Sequence, residues 1–190
     1  MKKPVLGIAA LVLLAGAAAA RHEVPTKNAA GGMDITVNLS ARELTVESGG
    51  STVASYPVAI GAAAHPTPRG TFHIRHVVWN PRWVPPDSKW ARDKKPQPPG
   101  APGNPMGRVK LFFREPDYYI HGTREVDSLG QAESHGCLRM RNGDAIELAK
   151  LVMEHGGSAR PPSWFRRVLN RVTSTREVYL DDPIAVRIVS

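Results

Sequence analysis

Cys137 is the single cysteine among 190 residues, in the string Ser134-His135-Gly136-Cys137-Leu138-Arg139-Met140, sixteen positions after His121 in Tyr119-Ile120-His121-Gly122-Thr123. A lone thiol cannot close an internal disulfide, so packing, metal binding or reactivity must account for it. Its polar, glycine-containing neighbours argue against packing. A thiol attacks carbonyls as the thiolate, so a catalytic cysteine needs a base or a positive neighbour to lower its ordinary pKa of ~8.5. Histidine suits that role, because it can take the thiol proton and return it to a leaving amine. Two histidines compete for it. His135 is two residues before Cys137, and extended backbone would point both side chains the same way; His121 ends an upstream apolar segment, with Gly122-Thr123 freeing its ring to face the thiol.

Gly136 removes a side chain where a substrate carbonyl must approach and leaves the Cys137 N–H open as an oxyanion donor. Arg139 suits either recognition of a substrate carboxylate or a structural salt bridge. Zinc held by Cys137, His135 and His121 lacks a fourth ligand at motif spacing, which counts against a metal site. His65, His73, His76 and His155 read as surface or packing residues.

Around this constellation the chain has the marks of an exported protein. Lys2 and Lys3 precede an apolar run from Val5, and Ala17–Ala20 offers small-residue cleavage sites, so residues 1–20 read as a signal peptide. The run is shorter than the ~20 apolar residues a membrane-spanning helix needs, so cleavage is expected rather than a stable span. Residues 21–32 read as a linker and residues 33–190 as one domain, large enough for a hydrophobic core without disulfides. The formal charge is +8. A basic exported chain is drawn to anionic envelope polymers. The basic residues are scattered, with no nucleic-acid module among them, which excludes nucleic acid as the partner.

The elements that must position the site are mostly strands. Ile35, Val37 and Leu39 alternate with polar residues, Ser40-Ala41-Arg42 turns, and Leu44–Glu47 returns as a hairpin. A second turn at Glu47–Ser51 leads to a strand over Val53–Ile60, and Thr71–Val78 continues the pattern. Eight prolines between Pro81 and Pro105 bar a regular element there, while Trp83 and Trp90 favour an ordered, packed loop. Val109–Phe113 and Tyr118–Ile120 follow as strands. Ala145, Leu148, Ala149 and Val152 form one helical stripe, with Asn142 or Asp144 as cap and Gly156-Gly157 as stop. Glu177–Val189, interrupted by Pro183, reads as closing strands at a sheet edge.

The motifs together resemble the L,D-transpeptidase catalytic domain, a family of exported bacterial cysteine enzymes that modify peptidoglycan. Besides His121-Gly122-Thr123 and the run from Ser134 to Met140, the resemblance rests on Thr67-Pro68-Arg69-Gly70-Thr71-Phe72, Asn80-Pro81-Arg82-Trp83 with Pro85-Pro86, Asn104-Pro105-Met106-Gly107, Asn142-x-Asp144 and Pro183-Ile184-Ala185-Val186. It implies a mainly β fold, sandwich- or barrel-like, with one or two helices, one of them after the cysteine. It implies Cys137 as nucleophile, His121 as its base and the Gly122 carbonyl as the group orienting His121, with no metal or organic cofactor needed. His135 becomes a supporting residue near the oxyanion hole, with Ser134, Gly136 and Arg139 in oxyanion or substrate support. The implied substrate is a peptidoglycan stem tetrapeptide that loses D-alanine and passes, as a thioester, to an amine. That amine belongs to another stem's diamino acid or to an envelope lipoprotein; water would make the enzyme a carboxypeptidase. The implied location is the periplasm or cell envelope. A non-catalytic wall-binding protein that keeps the fold is the reading from a different class.

Overall fold

The computed structural model describes residues 32–190; the proposed signal peptide and nearly all of the linker lie outside them. Alternation builds the first hairpins as expected. In β1 (Met33–Asn38) Met33, Ile35 and Val37 are buried while the residues between them are only half so. β2 (Glu43–Ser48) returns antiparallel to β1, and β3 (Ser51–Pro57) follows across Gly49-Gly50. Both glycines have positive φ, 58° and 78°, as a two-residue hairpin turn requires. The strand expected over Val53–Ile60 is split. β3 ends at Pro57, and β4 (Ile60–Gly61) leaves to pair in parallel with β8 (Ala132–Ser134) in a two-stranded sheet.

The main sheet continues through β5 (Gly70–Trp79), β6 (Val109–Arg114), β7 (Tyr118–Thr123), β9 (Leu138–Arg141) and β10 (Arg176–Val189). Its order is β3-β2-β1-β10-β5-β6-β7-β9. The C-terminal segment is therefore central, parallel to β1 on one side and antiparallel to β5 on the other, which corrects the edge position expected for it. Pro183 is accommodated because the β10–β5 ladder is interrupted between Tyr179 and Ile184, so no ladder bond is asked of a residue without an N–H.

α1 (Asn142–His155) lays Ala145, Leu148, Ala149, Val152 and Met153 onto the sheet, all fully buried. Burial of each large side chain contributes about 1.5–3 kcal/mol. No side-chain cap bond closes the start of α1, so neither Asn142 nor Asp144 caps it as expected; Asn142 is used elsewhere. α2 (Pro162–Asn170) was not located in the sequence. It is short and arginine-bearing, with only Val168 fully buried, and it docks by setting Trp164 and Phe165 against Trp79 at ring distances of 6.0 and 5.5 Å. Asn80, at φ 47°, fastens its end by donating to the carbonyls of Val168, Arg171 and Ser174.

The proline-rich segment is ordered by specific bonds. Trp83 and Gln97 exchange backbone hydrogen bonds of 2.9 Å, and Asn104 donates to the Pro81 and Pro98 carbonyls. The resulting architecture, a curled main sheet with two helices, has the expected mainly β character. Among the described residues no helix is long and apolar enough to cross a membrane.

Candidate active site

β7 and β9 run parallel, with Ile120 opposite Leu138 and His121 opposite Arg139. Ile120, Leu138 and Met140 are buried in the core. Strand alternation therefore sends Tyr119 and His121, and with them Cys137 and Arg139, to the other face of the sheet. Cys137 and His121 share that face because two strands distant in sequence share one register.

His121 is 3 % exposed, and its Nδ1 lies 2.9 Å from the Gly122 carbonyl oxygen. A carbonyl only accepts, so Nδ1 carries the proton and Nε2 keeps its lone pair. Burial pushes the imidazole pKa down to about 4, the Gly122 bond opposes this, and the Arg139 and Lys110 cations add to it. His121 is thus a neutral base at pH 7 with its acceptor nitrogen set by the backbone. Gly122 has no room for a side chain, because a Cβ there would collide with Asn142 Oδ1. That oxygen accepts from the Arg108 N–H at 3.0 Å while Asn142 Nδ2 donates to the Thr123 carbonyl at 3.1 Å. Asn142 therefore clamps the turn that carries the orienting carbonyl.

Cys137 is half-buried, and its Sγ donates to the Asp117 carbonyl at 3.2 Å. Burial pushes the thiol up to about 11; hydrogen bonds from the Tyr119 amide and hydroxyl and the Arg139 charge pull the other way. Thiol and imidazole are both neutral at rest, so the proton must leave as the sulfur attacks. Alkylation of Cys137 by iodoacetamide is accordingly expected to be slow at pH 7 and to rise about tenfold per pH unit up to about pH 10. Mass spectrometry of adduct formation checks this; a plateau below pH 8 would show a preformed thiolate.

The turn before Cys137 is held from several sides. Ser134 is buried; its Oγ donates to the Cys137 carbonyl at 2.6 Å and accepts from the Gly136 N–H at 3.1 Å. Thr67 Oγ1 donates to the Gly136 carbonyl at 3.0 Å and accepts from the Gly61 N–H at 2.8 Å. Gly136 has φ 104°, and a Cβ on it would be 2.9 Å from Tyr118 Cε1. This φ breaks the extended path on which the pairing of His135 with Cys137 depended. The exposed His135 ring instead stacks on Trp90 of the proline-rich segment, centroids 3.8 Å apart and planes 19° apart, with His65 at 4.8 Å. Arg139 Nη1 is 2.7 Å from Glu125 Oε2, and its backbone bridges Ala59. Its guanidinium is engaged in the structural role.

Two residues escaped the sequence reading. The polar groups of Tyr119 draw the Cys137 thiol pKa down, and its ring lies edge-on to His121 at 5.6 Å; burial and the neighbouring sulfur keep it protonated. Lys110 stands directly opposite His121 across the β6–β7 ladder. Tyr119 was legible as the residue two before His121 on a strand. Lys110 needed the register.

The YkuD family, described as the L,D-transpeptidase catalytic domain, matches residues 32–176. This chain belongs to that family. The Bacillus subtilis (strain 168) protein named "Putative L,D-transpeptidase YkuD" is 34 % identical over 118 residues, covering 62 % of this chain and 59 % of that one. The Salmonella typhimurium protein named "Probable L,D-transpeptidase ErfK/SrfK" is 34 % identical over 118 residues, covering 58 % of this chain and 38 % of its own length. The chain thus spans about three fifths, or less, of the curated relatives' length. Among solved structures, an L,D-transpeptidase from Mycobacterium smegmatis superposes with TM-score 0.53 at 17 % identity, over 84 % of this chain and 59 % of that one. An Enterococcus faecium L,D-transpeptidase gives 0.54 at 14 % identity, over 84 % and 50 %. These two likenesses bear on the fold. The mainly β architecture with two helices described above accordingly matches the fold of L,D-transpeptidase structures.

Proposed function

We propose that this chain is an exported peptidoglycan L,D-transpeptidase whose catalytic domain, residues 33–190, works through Cys137, His121 and the Gly122 carbonyl. The observation that carries this reading is the 2.9 Å bond from His121 Nδ1 to that carbonyl, which leaves Nε2 as the acceptor on the sheet face shared with Cys137. As Cys137 attacks the carbonyl of the third residue of a stem tetrapeptide, His121 Nε2 takes the thiol proton. The resulting oxyanion is stabilised by the Cys137 N–H at the glycine turn. Collapse breaks the C–N bond, His121 returns its proton to the departing D-alanine amine, and a thioester remains on Cys137. An acceptor amine attacks the thioester, losing a proton to His121, and the sulfur leaves to recover that proton.

Gly136 and Ser134 shape the oxyanion turn, His135 anchors it to Trp90, and Arg139 braces it through Glu125. The acceptor is a diamino-acid side chain of a second stem or a lysine of an envelope lipoprotein, and the site of action is the periplasm or cell envelope. The basic charge suits an anionic polymer surface. Purified protein incubated with disaccharide-tetrapeptide, with and without a lipoprotein peptide, tests this. D-alanine release with a cross-linked dimer or a peptide conjugate is expected. Tripeptide alone would make the enzyme a hydrolase, and no thioester on Cys137 would refute the proposal.

A further inference from the structure

A substrate that ends in a carboxylate one residue beyond the scissile carbonyl needs a cation close to Cys137. Arg139, the cation marked for this by its position in the motif, is occupied by Glu125 at 2.7 Å. Lys110 lies on the other side of the site. It projects from β6 opposite His121, on the face of the sheet that carries Tyr119 and His121, since Val109 and Leu111 on either side of it are buried in the core.

The Lys110 ammonium is held by aromatic faces rather than by a carboxylate. Its Nζ is 4.4 Å from the centre of the Phe112 ring and 5.0 Å from that of Tyr119. Among the described residues the ion pairs are His76–Glu115 and Arg139–Glu125, and Lys110 belongs to neither. Glu115, Asp117 and Glu177 act on it electrostatically without pairing. A half-buried ammonium resting on π-faces is partly stripped of water, retains all three donors and has fixed direction, which are the properties of an anion-binding group.

Tyr119 sets the distance. It precedes Ile120, whose partner Leu138 follows Cys137 in the β7–β9 register, and its ring carries the Lys110 ammonium at 5.0 Å, so the cation stands beside Cys137 across one aromatic ring. Successive Cα atoms are ~3.8 Å apart, so a carboxylate one residue past the attacked carbonyl falls within that span.

We propose that Lys110 binds the terminal carboxylate of the donor stem peptide and makes the enzyme select donors whose leaving residue is a free acid. The proposal deepens the transpeptidase reading and rests on it. It distinguishes this chain's donor site from one that recognises only the peptide backbone before the cleaved bond.

The test compares disaccharide-tetrapeptide carrying a C-terminal free acid with its primary amide, for the wild-type protein, K110M and K110R. The readout is kcat/KM for thioester formation on Cys137, followed by intact mass. The wild type is expected to prefer the acid by roughly 10- to 100-fold, the scale of a hydrogen bond to a charged group. K110M is expected to bring that ratio to within about threefold of unity, mainly by raising KM for the acid, and K110R to retain most of it. A general structural defect would slow both substrates alike and leave the ratio standing. Equal use of acid and amide by the wild type, which needs no variant to fold, overturns the proposal, as does a K110M ratio equal to the wild-type one. Absence of thioester from either substrate would instead refute the transpeptidase reading itself, and the role of Lys110 with it.

Discussion

Cys137→Ala is expected to leave a folded protein with no measurable transpeptidation, its turnover of tetrapeptide lower by about 10⁴-fold or more, the scale seen when a covalent nucleophile is removed. The loss is so large because nothing else on this face can carry the acyl group. Tyr119 shares the sheet face of Cys137 but is held protonated, and Ser134 Oγ is committed to the Cys137 carbonyl and the Gly136 N–H. The fold is barely touched, since Cys137 is half-buried at the mouth of the site and outside the hydrophobic core. Intact-mass measurement after incubation with tetrapeptide, alongside thermal melting, checks both halves. An acyl adduct on the alanine variant, or D-alanine release at the wild-type rate, would place the chemistry on another residue.

His121→Gln is expected to slow thioester formation by about 10²- to 10⁴-fold, the usual contribution of a positioned base. It also has a signature in stability. The unfolded chain binds a proton on this histidine near its ordinary pKa of 6.5, the folded chain only near about 4, because burial disfavours the imidazolium. Between those values the unfolded state holds more protons, so stability falls as pH drops through the window and changes no further below it. At 1.36 kcal/mol per pKa unit, the wild type loses up to about 3 kcal/mol on this account. The glutamine variant has no such group and loses correspondingly less. Urea midpoints at pH 7.5 and pH 4.5 for the two proteins measure the difference. Equal acid destabilisation in both would mean that His121 is not buried neutral in the folded protein.

Legibility from the sequence followed the range of the interactions. The hairpin from β1 to β3 was readable because alternation and Gly49-Gly50 are local. The stripe of α1 was readable for the same reason. β10 was misplaced because Pro183 was weighed as a local signal, whereas its tolerance depends on a break in the ladder with β5, more than a hundred residues earlier. α2 escaped because a nine-residue helix with one fully buried side chain carries little periodicity; it is secured by Asn80 and Trp79, which no window around residue 165 contains. At the site, the placing of His135 beside the thiol assumed extended backbone, and the φ of 104° at Gly136 removes that assumption.

The amino-acid sequence by itself determined the kind of chemistry the site can offer: one cysteine, a histidine ahead of a glycine, and a glycine before that cysteine are residue types, and type decides what a group can donate, accept or attack. Only the tertiary structure decided the state and company of those groups. It buried His121 so that it rests neutral, turned its lone pair outward through Gly122, engaged Arg139 with Glu125, and set Lys110 free on the rings of Phe112 and Tyr119. Protonation and charge pairing depend on burial and on strand register. Both arise from contacts between segments far apart in the chain, where no local pattern reaches.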